Sequence, residues 1–302
     1  MNGIKSRIES LKKEKNAVIL AHYYVPAEVQ EIADYIGDSF YLSKIAKEAS
    51  QDTIVFCGVS FMGESAKILS PGKLVLMPDV TADCPMAHMA QASKIEEVRR
   101  EYDDVAVVCY INSTGELKEH SDVCVTSANA TKIVKALPNK HIYFIPDGNL
   151  GRYVATQVKD KHFIFNDGFC PVHAEVCKDD VRAAKEAHPG ALLLVHPECR
   201  MEILEEADYI GSTSGIIDYA SKSSVNEFII GTELGVMYEL EQKNPGKKFY
   251  PLVSGQICPD MKKITLEKVL KCMEEESGVV EVGEELRNSA IASLDRMLEL
   301  AR

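Results

Sequence analysis

The chain repeats itself three times, and each copy ends in a cysteine followed by proline. These cysteines, Cys84, Cys170 and Cys258, are 86 and 88 residues apart. Self-similarity at a fixed interval is typical of a fold built from copies of one supersecondary unit. Because the three thiols occupy the same position of each copy, we expect them to meet at one point of the structure.

Other residue sets recur at the same interval. Each copy carries an apolar run that ends at a polar or aromatic residue, and these end residues are His22, Tyr110 and His196. Two residues further along come Tyr24, Asn112 and Glu198. A hydroxyl residue follows in each copy, and these residues are Ser39, Ser127 and Thr213. The recurrence of whole sets indicates three copies of one structural unit.

The repeat predicts three units, whereas 302 residues alone would favour two domains of ordinary size. We expect units at residues 1–84, 85–170 and 171–258, with C-terminal helices in 259–302 packing on the first unit. Each unit reads as strand, loop, helix, strand, helix, strand. Continuous apolar strands of this kind predict parallel sheets covered by helices on both faces.

The composition restricts the partners that we expect. The chain has 34 Lys and Arg against 46 Asp and Glu, a net charge of −12, which disfavours nucleic acid and anionic membranes. Its first apolar run is too short for a signal sequence or a membrane span, so we expect a cytoplasmic protein. Nine cysteines, an odd number, favour free thiols in a reducing compartment, used for metal binding or catalysis.

The three repeated cysteines predict a metal site. One buried cysteine is commonly just a small core residue, but three in register favour a shared function. Zinc fits poorly, because the chain has no Cys-x-x-Cys pair and no fourth ligand at a repeat position. Three thiolates suit one 4Fe-4S cluster whose fourth iron stays open to substrate as a Lewis acid. Its ligands would be Cys84, Cys170 and Cys258.

The strand-end residues predict a shared crevice, because ligands bind beyond the carboxyl ends of parallel strands. Glu198 is the best candidate general base there. His22 and His196 are candidate proton carriers or anion ligands, although a histidine at a strand end is also a common structural residue. Asn112 is a candidate neutral anchor.

The repeated hydroxyls have two interpretations. Ser39, Ser127 and Thr213 each precede a predicted helix, so they are candidates for simple N-caps. A helix N-terminus with a free hydroxyl also binds carboxylate or phosphate. Three such ends directed at one centre would hold a small polyanion.

Further motifs complete a resemblance to a known family, the A-type quinolinate synthases of bacterial and archaeal NAD biosynthesis. The segments that carry it include Ala-His-Tyr-Tyr at 21–24, Tyr-Ile-Asn-Ser-Thr at 110–114, Cys-Pro-Val-His at 170–173, His-Pro-Glu-Cys at 196–199 and Cys-Pro-Asp-Met-Lys-Lys at 258–263. The resemblance covers nearly all of the chain. It implies three homologous αβα three-layer domains with parallel sheets, in a pseudo-threefold arrangement around a central cavity.

The resemblance also implies a reaction, the condensation of iminoaspartate with dihydroxyacetone phosphate to quinolinate with loss of phosphate and two waters. An aspartate oxidase or dehydrogenase would supply the iminoaspartate. The implied cofactor is the same 4Fe-4S cluster. The implied catalytic residues are Glu198, His196, Tyr24, His22 and Tyr110. The implied substrate-binding residues are His22, Asp38, Ser39, Tyr110, Ile111, Asn112, Ser127, His196, Pro197, Glu198 and Thr213.

Three alternatives remain open at this point. A different iron-sulfur enzyme, a hydro-lyase acting on a hydroxy acid, would share the three-thiolate site without needing a phosphate pocket. A non-enzymatic anion-binding or iron-sensing module would also share it. Finally, the three cysteines would be plain core residues if their replacement left the protein unchanged.

Overall fold

The computed structural model describes residues 2–302, and within them it has three four-stranded sheets in which every strand pair is parallel. The first sheet contains β1 Ala17–His22, β2 Tyr35–Gly37, β3 Thr53–Cys57 and β4 Leu74–Leu76. The second contains β5 Val105–Tyr110, β6 Val123–Val125, β7 His141–Ile145 and β8 His162–Phe165. The third contains β9 Leu192–Val195, β10 Tyr209–Ile210, β11 Glu227–Gly231 and β12 Lys248–Pro251.

The three sheets have one topology. Their strand orders are β2-β1-β3-β4, β6-β5-β7-β8 and β10-β9-β11-β12, so the second strand of each unit lies at an edge. The central strands β1, β3 and β5 are buried along their whole length, as expected for strands covered on both faces. The predicted α/β fold of three repeated units is therefore confirmed.

Helices flank each sheet. The first unit contains α1 Asn2–Glu14, α2 Ala27–Gln30, α3 Ser39–Glu48 and α4 Ser60–Leu69. The second contains α5 Ala92–Glu101, α6 Gly115–Glu119, α7 Ala130–Ala136 and α8 Gly148–Gln157. The third contains α9 Pro171–Ala174, α10 Lys178–Ala187, α11 Met201–Leu204, α12 Thr213–Lys222 and α13 Val236–Lys243, and the chain ends in α14 Leu266–Glu275 and α15 Glu284–Leu300. Among residues 2–302 no helix is both long and apolar enough to cross a lipid bilayer.

The sequence pattern missed one strand in each unit. The expected unit had three strands, but each sheet has four, because β2, β6 and β10 were not predicted. These strands have only two or three residues, which is shorter than the window in which alternation or an apolar run can be recognised.

A repeated aspartate explains why these short edge strands stay in register. Just before each of them, an aspartate side chain accepts the main-chain N–H of a residue in the first strand of that sheet. The pairs are Ile19 with Asp34 at 2.8 Å, Val107 with Asp122 at 2.7 Å and Leu193 with Asp208 at 2.8 Å. In each case the aspartate N–H also donates back to the same strand residue. The two hydrogen bonds fix the loop that joins the two strands.

The C-terminal helices connect two units. Helix α14 lies against α1 and β3, but α15 lies mainly against α6, β6 and α4. The packing of residues 259–302 on the first unit stays a prediction, and α15, with its buried stripe of Ala290, Leu294 and Met297, lies against the second unit as well as the first. The predicted unit boundaries remain a prediction. Between the helices, Gly278 has φ 71° and accepts the N–H of Met77, an approach too close for any Cβ.

Candidate active site

A cavity of about 140 Å³ lies where the carboxyl ends of the three sheets converge. Among the predicted site residues, those that line it are His22, Tyr24, Asp38, Ser39, Cys84, Tyr110, Asn112, Ser127, Cys170, His196, Glu198, Thr213 and Cys258. Ile111 and Pro197 do not line it, and Ile111 packs in the hydrophobic core. Pro197 is likewise buried away from it.

Each cysteine of the repeated set lies at the start of a short helical turn. Cys84 precedes the 3-10 turn Pro85–His88, and Cys170 precedes α9. Cys258 lies shortly before a second 3-10 turn, Met261–Lys263. The proline that follows each cysteine suits the first position of a helical turn. Main-chain N–H groups at such a start favour a thiolate, and therefore a metal–thiolate bond.

The three thiols are protonated when no metal holds them. Burial, followed by the charge of Glu198, raises the pKa of Cys84 to about 12 and the pKa of Cys170 well above its ordinary value. Burial also raises the pKa of Cys258. In all three, main-chain N–H groups of the helical turn oppose the rise. Metal binding at this site therefore releases protons.

The strand-end histidines are held in one orientation by the loop that follows them. The main-chain N–H of Tyr24 donates to Nδ1 of His22 at 3.2 Å, and that of Glu198 donates to Nδ1 of His196 at 3.4 Å. With Nδ1 accepting, a neutral ring carries its proton on Nε2. Burial lowers the pKa of His22 to about 3 and also lowers the pKa of His196. The ring of His22 is therefore neutral near pH 7, whereas the charge of Glu198 opposes the lowering of the His196 pKa.

Glu198 is the central carboxylate of the cavity and is 3 % exposed. Its Oε2 lies 2.8 Å from Nδ1 of His173 and 3.4 Å from Nδ1 of His196. Burial alone raises the pKa of this carboxyl, but His196 and His173 hold it well below its usual range. Glu198 is therefore an ionised carboxylate in a buried position, where its charge acts strongly on its neighbours.

A continuous chain of hydrogen bonds joins Glu198 to Tyr24. From His173, Nε2 lies 3.0 Å from Oγ1 of Thr232, which lies 2.8 Å from the Tyr24 hydroxyl. That hydroxyl also lies 2.7 Å from Oγ1 of Thr213. Each hydrogen bond of the chain has a donor and an acceptor if Tyr24 donates to Thr232, Thr232 donates to His173, and His173 donates to Glu198. Burial, followed by the charge of Glu198, raises the pKa of Tyr24 well above its ordinary value.

The repeated hydroxyls are not helix caps. The caps of α3 and α12 are Asp38 and Ser212, whose side chains accept first-turn N–H groups. Ser39 and Thr213 are the next residues and begin their helices, while Ser127 lies in the turn before α7. The interpretation of these hydroxyls as N-caps is therefore wrong, and all three line the cavity.

The cavity requires a positive partner before it can hold an anion. Asp38, Glu198, Glu233 and Asp260 line it, whereas no lysine or arginine of residues 2–302 does. The buried Oδ1 of Asn112 has no hydrogen-bond partner within the same residues. Helix N-termini and a bound metal ion are the cationic elements that such a site can offer.

The residues present fit a metal cofactor. Cys170, His173 and Glu198 place ligand atoms within 4.8 Å of one another. Cys84 and Cys258 line the same cavity and, like Cys170, form no disulfide. Thiols from three different units thus face one space, which is the donor set that an iron-sulfur cluster with three protein ligands requires.

The sequence did not identify His173, Thr232, Asp147 or Glu233. His173 stands three residues after Cys170 in a quoted motif, but no role was inferred for it. Asp147 and Glu233 are 86 residues apart, so an extension of the repeat alignment would have paired them. Thr232 had no such signal, since a threonine beside a strand is common.

Comparison with known proteins gives one result throughout. Residues 6–299 match the family described as Quinolinate synthetase A protein. The chain is 53 % identical over 298 residues to the quinolinate synthase of Caldicellulosiruptor saccharolyticus, covering 99 % of this chain and 98 % of that one. It is 54 % identical to the quinolinate synthase of Fusobacterium nucleatum, covering 99 % of both. It is 49 % identical to that of Clostridioides difficile, covering 98 % of this chain and 97 % of the other.

Proposed function

Because the chain belongs to the quinolinate synthetase A family, we propose that it condenses iminoaspartate with dihydroxyacetone phosphate to form quinolinate, releasing phosphate and two waters. Its cofactor would be a 4Fe-4S cluster bound by Cys84, Cys170 and Cys258. One observation carries the proposal: thiols from three repeated units line a single cavity together with Glu198 and His196.

When bound, such a cluster supplies a Lewis-acidic iron that polarises an oxygen of the substrate. The remaining chemistry belongs to the side chains of the cavity. Ser39 and Thr213, at the first positions of α3 and α12, would hold carboxylate or phosphate oxygens together with first-turn N–H groups. Asn112 offers an unpartnered Oδ1 to a substrate N–H or hydroxyl.

Tyr24 and Glu198 would move protons as one unit. Glu198, the ionised carboxylate, would accept a proton from the substrate. The Tyr24 hydroxyl, whose pKa is raised, stays protonated near pH 7 and would give its proton to a leaving oxygen. The chain through His173 and Thr232 would then return the proton from Glu198 to Tyr24.

The histidines and Tyr110 would complete the site. The rings of His22 and His196 offer Nε2–H groups, and His196 Nε2 lies 3.1 Å from the Ser127 hydroxyl. Tyr110 is buried beside Glu198, and burial, followed by the charge of Glu198, raises its pKa well above its ordinary value. Tyr110 therefore stays a neutral donor. The burial of all these groups excludes water from reactive intermediates.

The test is product formation by the reconstituted chain. After anaerobic reconstitution with iron and sulfide, the protein receives dihydroxyacetone phosphate and iminoaspartate, the latter formed in place by an aspartate dehydrogenase. We expect quinolinate and phosphate in equal amounts. A Glu198→Gln variant should load iron normally and lose about 10²–10⁴-fold in rate, because it removes the proton acceptor.

Three outcomes would contradict the proposal. Iron-loaded protein that releases neither product is no quinolinate synthase. Iron-loaded protein that dehydrates a hydroxy acid without releasing phosphate is the hydro-lyase alternative. Full activity of the Cys84→Ala variant would show that the three cysteines are ordinary core residues and not cluster ligands.

A further inference from the structure

Two buried carboxyl groups lie beside the cysteine loops and have no role in the proposed reaction. Asp147 and Glu233 are both 0 % exposed. Each stands two residues after the third strand of its sheet, so the two occupy matching repeat positions. The corresponding residue of the first unit is the buried apolar Val59. A buried carboxylate is costly, so its presence in two units out of three requires an explanation.

Glu233 joins the third cysteine loop to the helix that follows the strand. Its Oε1 accepts the main-chain N–H of Cys258 at 3.0 Å, and its Oε2 accepts that of Gly235 at 2.6 Å. The ammonium of Lys262 lies 2.7 Å from Oε1. The loop of Cys258 is therefore held by a charged acceptor that is itself fixed from two other directions.

Asp147 has the same relation to the second cysteine loop, but it is incompletely bonded. Its Oδ1 caps α8 by accepting the N–H groups of Asn149 at 2.8 Å and Leu150 at 2.9 Å. Burial, followed by the charge of Glu198, raises the pKa of the Asp147 carboxyl group well above its usual value, and the N–H groups of Leu150, Asn149 and Cys170 oppose that rise. Its Oδ2 has no partner at hydrogen-bond distance among residues 2–302.

In the first unit, the N–H of the cysteine is accepted by a carboxylate at a different sequence position. The main-chain N–H of Cys84 donates to Oδ1 of its neighbour Asp83 at 2.8 Å. The Asp83 side chain is 44 % exposed, unlike its two buried counterparts. In the first and third units a side-chain carboxyl oxygen thus accepts the N–H of the cysteine, and in the second the Asp147 carboxyl group lies beside it. Such an N–H cannot donate to a cluster sulfur, and N–H···S bonds and lower negative charge are what raise a cluster's potential.

We propose that Asp147 and Glu233 are positioning residues for the iron-sulfur cofactor. They hold the main-chain N–H groups of Cys170 and Cys258, aim the thiolates at the cavity and keep the reduction potential of the cluster low. A cluster with a low potential stays oxidised and serves as a Lewis acid rather than an electron carrier. This inference rests on the cofactor of the proposed function.

The test uses isosteric amides in the full chain, Asp147→Asn and Glu233→Gln. An amide has a single acceptor oxygen, so either the helix N–H or the cysteine N–H loses its acceptor. After anaerobic reconstitution, iron affinity is measured by competition with a chelator, and the midpoint potential by a titration followed by electron paramagnetic resonance. We expect iron affinity to fall about 10–100-fold, and the midpoint to shift to more positive values.

Asp180→Asn is the matched control. Asp180 Oδ2 also accepts a cysteine N–H, that of Cys177 at 2.8 Å, but Cys177 is exposed and does not line the cavity. This variant should match the parent protein in both measurements. A shift as large as that of the other two variants would mean that any lost carboxylate has this effect, and would overturn the inference.

The remaining outcomes are also decisive. Asp147→Asn and Glu233→Gln proteins with parental iron affinity and an unchanged or more negative midpoint overturn the inference. If Asp147→Asn does not fold, Glu233→Gln decides, and failure of both to fold assigns the carboxylates to the fold alone. Failure of the parent protein to bind iron removes the proposed function itself, whereas parental iron affinity together with an unchanged or more negative midpoint in both variants removes only this inference.

Discussion

Two buried regions of the molecule contain thiols beside charged side chains. They differ in whether their buried polar atoms have hydrogen-bond partners. In the cavity, the buried Oδ1 of Asn112 has no hydrogen-bond partner among residues 2–302. The second region, here called the Lys118 pocket, lies between the second sheet and α15 and consists of Cys109, Ser113, Lys118, Cys124 and Ser293. There, Cys109 donates to Ser113 at 3.0 Å, and Ser293 donates to the Lys118 carbonyl at 2.9 Å.

The thiols respond to these surroundings in opposite ways. Burial and the charge of Glu198 raise the pKa of Cys84 to about 12. Burial also acts on Cys109, but the hydrogen bond with Cys124 and the charge of Lys118 outweigh it and lower the pKa of Cys109 to about 7. The cavity thus has protonated thiols and open acceptors that a metal and a substrate would complete. Within residues 2–302, no buried nitrogen or oxygen of the Lys118 pocket lacks a hydrogen-bond partner, so we expect its side chains to contribute to stability.

The largest expected difference concerns the cysteines. Cys170→Ser should abolish cluster binding and product formation, because a thiolate ligand is lost. Cys124→Ser should keep both and lose only about 1 kcal/mol of unfolding free energy. Iron per chain, quinolinate formation and denaturant unfolding distinguish the two. Normal iron content in the Cys170 variant would contradict the contrast.

The next largest effect concerns the buried hydroxyls. Thr232→Val interrupts the chain between Tyr24 and His173, so the rate should fall about 10²–10⁴-fold while iron content stays normal. Ser293→Ala removes a hydroxyl of the Lys118 pocket and should change stability by about 1 kcal/mol without changing the rate. The rates of both iron-loaded variants are compared by steady-state kinetics. Equal rates for the two variants would show that the hydrogen-bond chain from Tyr24 to Glu198 carries no proton.

Lys118 should matter for stability and not for the cofactor. Its ammonium donates to the Ser113 carbonyl in a fully buried position. Lys118→Met leaves that carbonyl unsatisfied and should lower the unfolding free energy by about 1–3 kcal/mol, with iron per chain unchanged. Denaturant unfolding and iron analysis of the same preparation test this. If the variant lost iron while its unfolding free energy stayed unchanged, Lys118 would support the cofactor rather than the stability of the fold.

The smallest effect is expected away from both regions, at the repeated aspartates. Asp208→Ala removes the acceptor of the Leu193 N–H and should cost about 1 kcal/mol. Asp122→Ala should cost slightly more, because Asp122 also pairs with the half-buried Arg99 at 2.9 Å. Thermal unfolding of the two variants, with cofactor content as the control, measures the difference. A larger loss for Asp208 would show that the ion pair contributes nothing.

The parts of the structure that the sequence predicted are parts that occur in all three repeats. Cys84, Cys170 and Cys258 were recognisable because they occupy matching positions in the three sequence repeats. Glu198 and His196 were recognised from the same repeat alignment. The edge strands were too short to recognise. The contact between His173 and Thr232 joins residues that are 59 positions apart and have no counterpart in the other units, so only the folded structure reveals it.

Iron and acid-labile sulfide per chain, measured after strictly anaerobic reconstitution, test the central claim most directly. The account predicts about four of each in the parent protein, as a 4Fe-4S cluster requires, and a loss of both when Cys84, Cys170 or Cys258 is replaced by alanine. A parent protein that takes up no iron, or alanine variants that keep the full complement, would contradict the claim that the three units meet at one cluster.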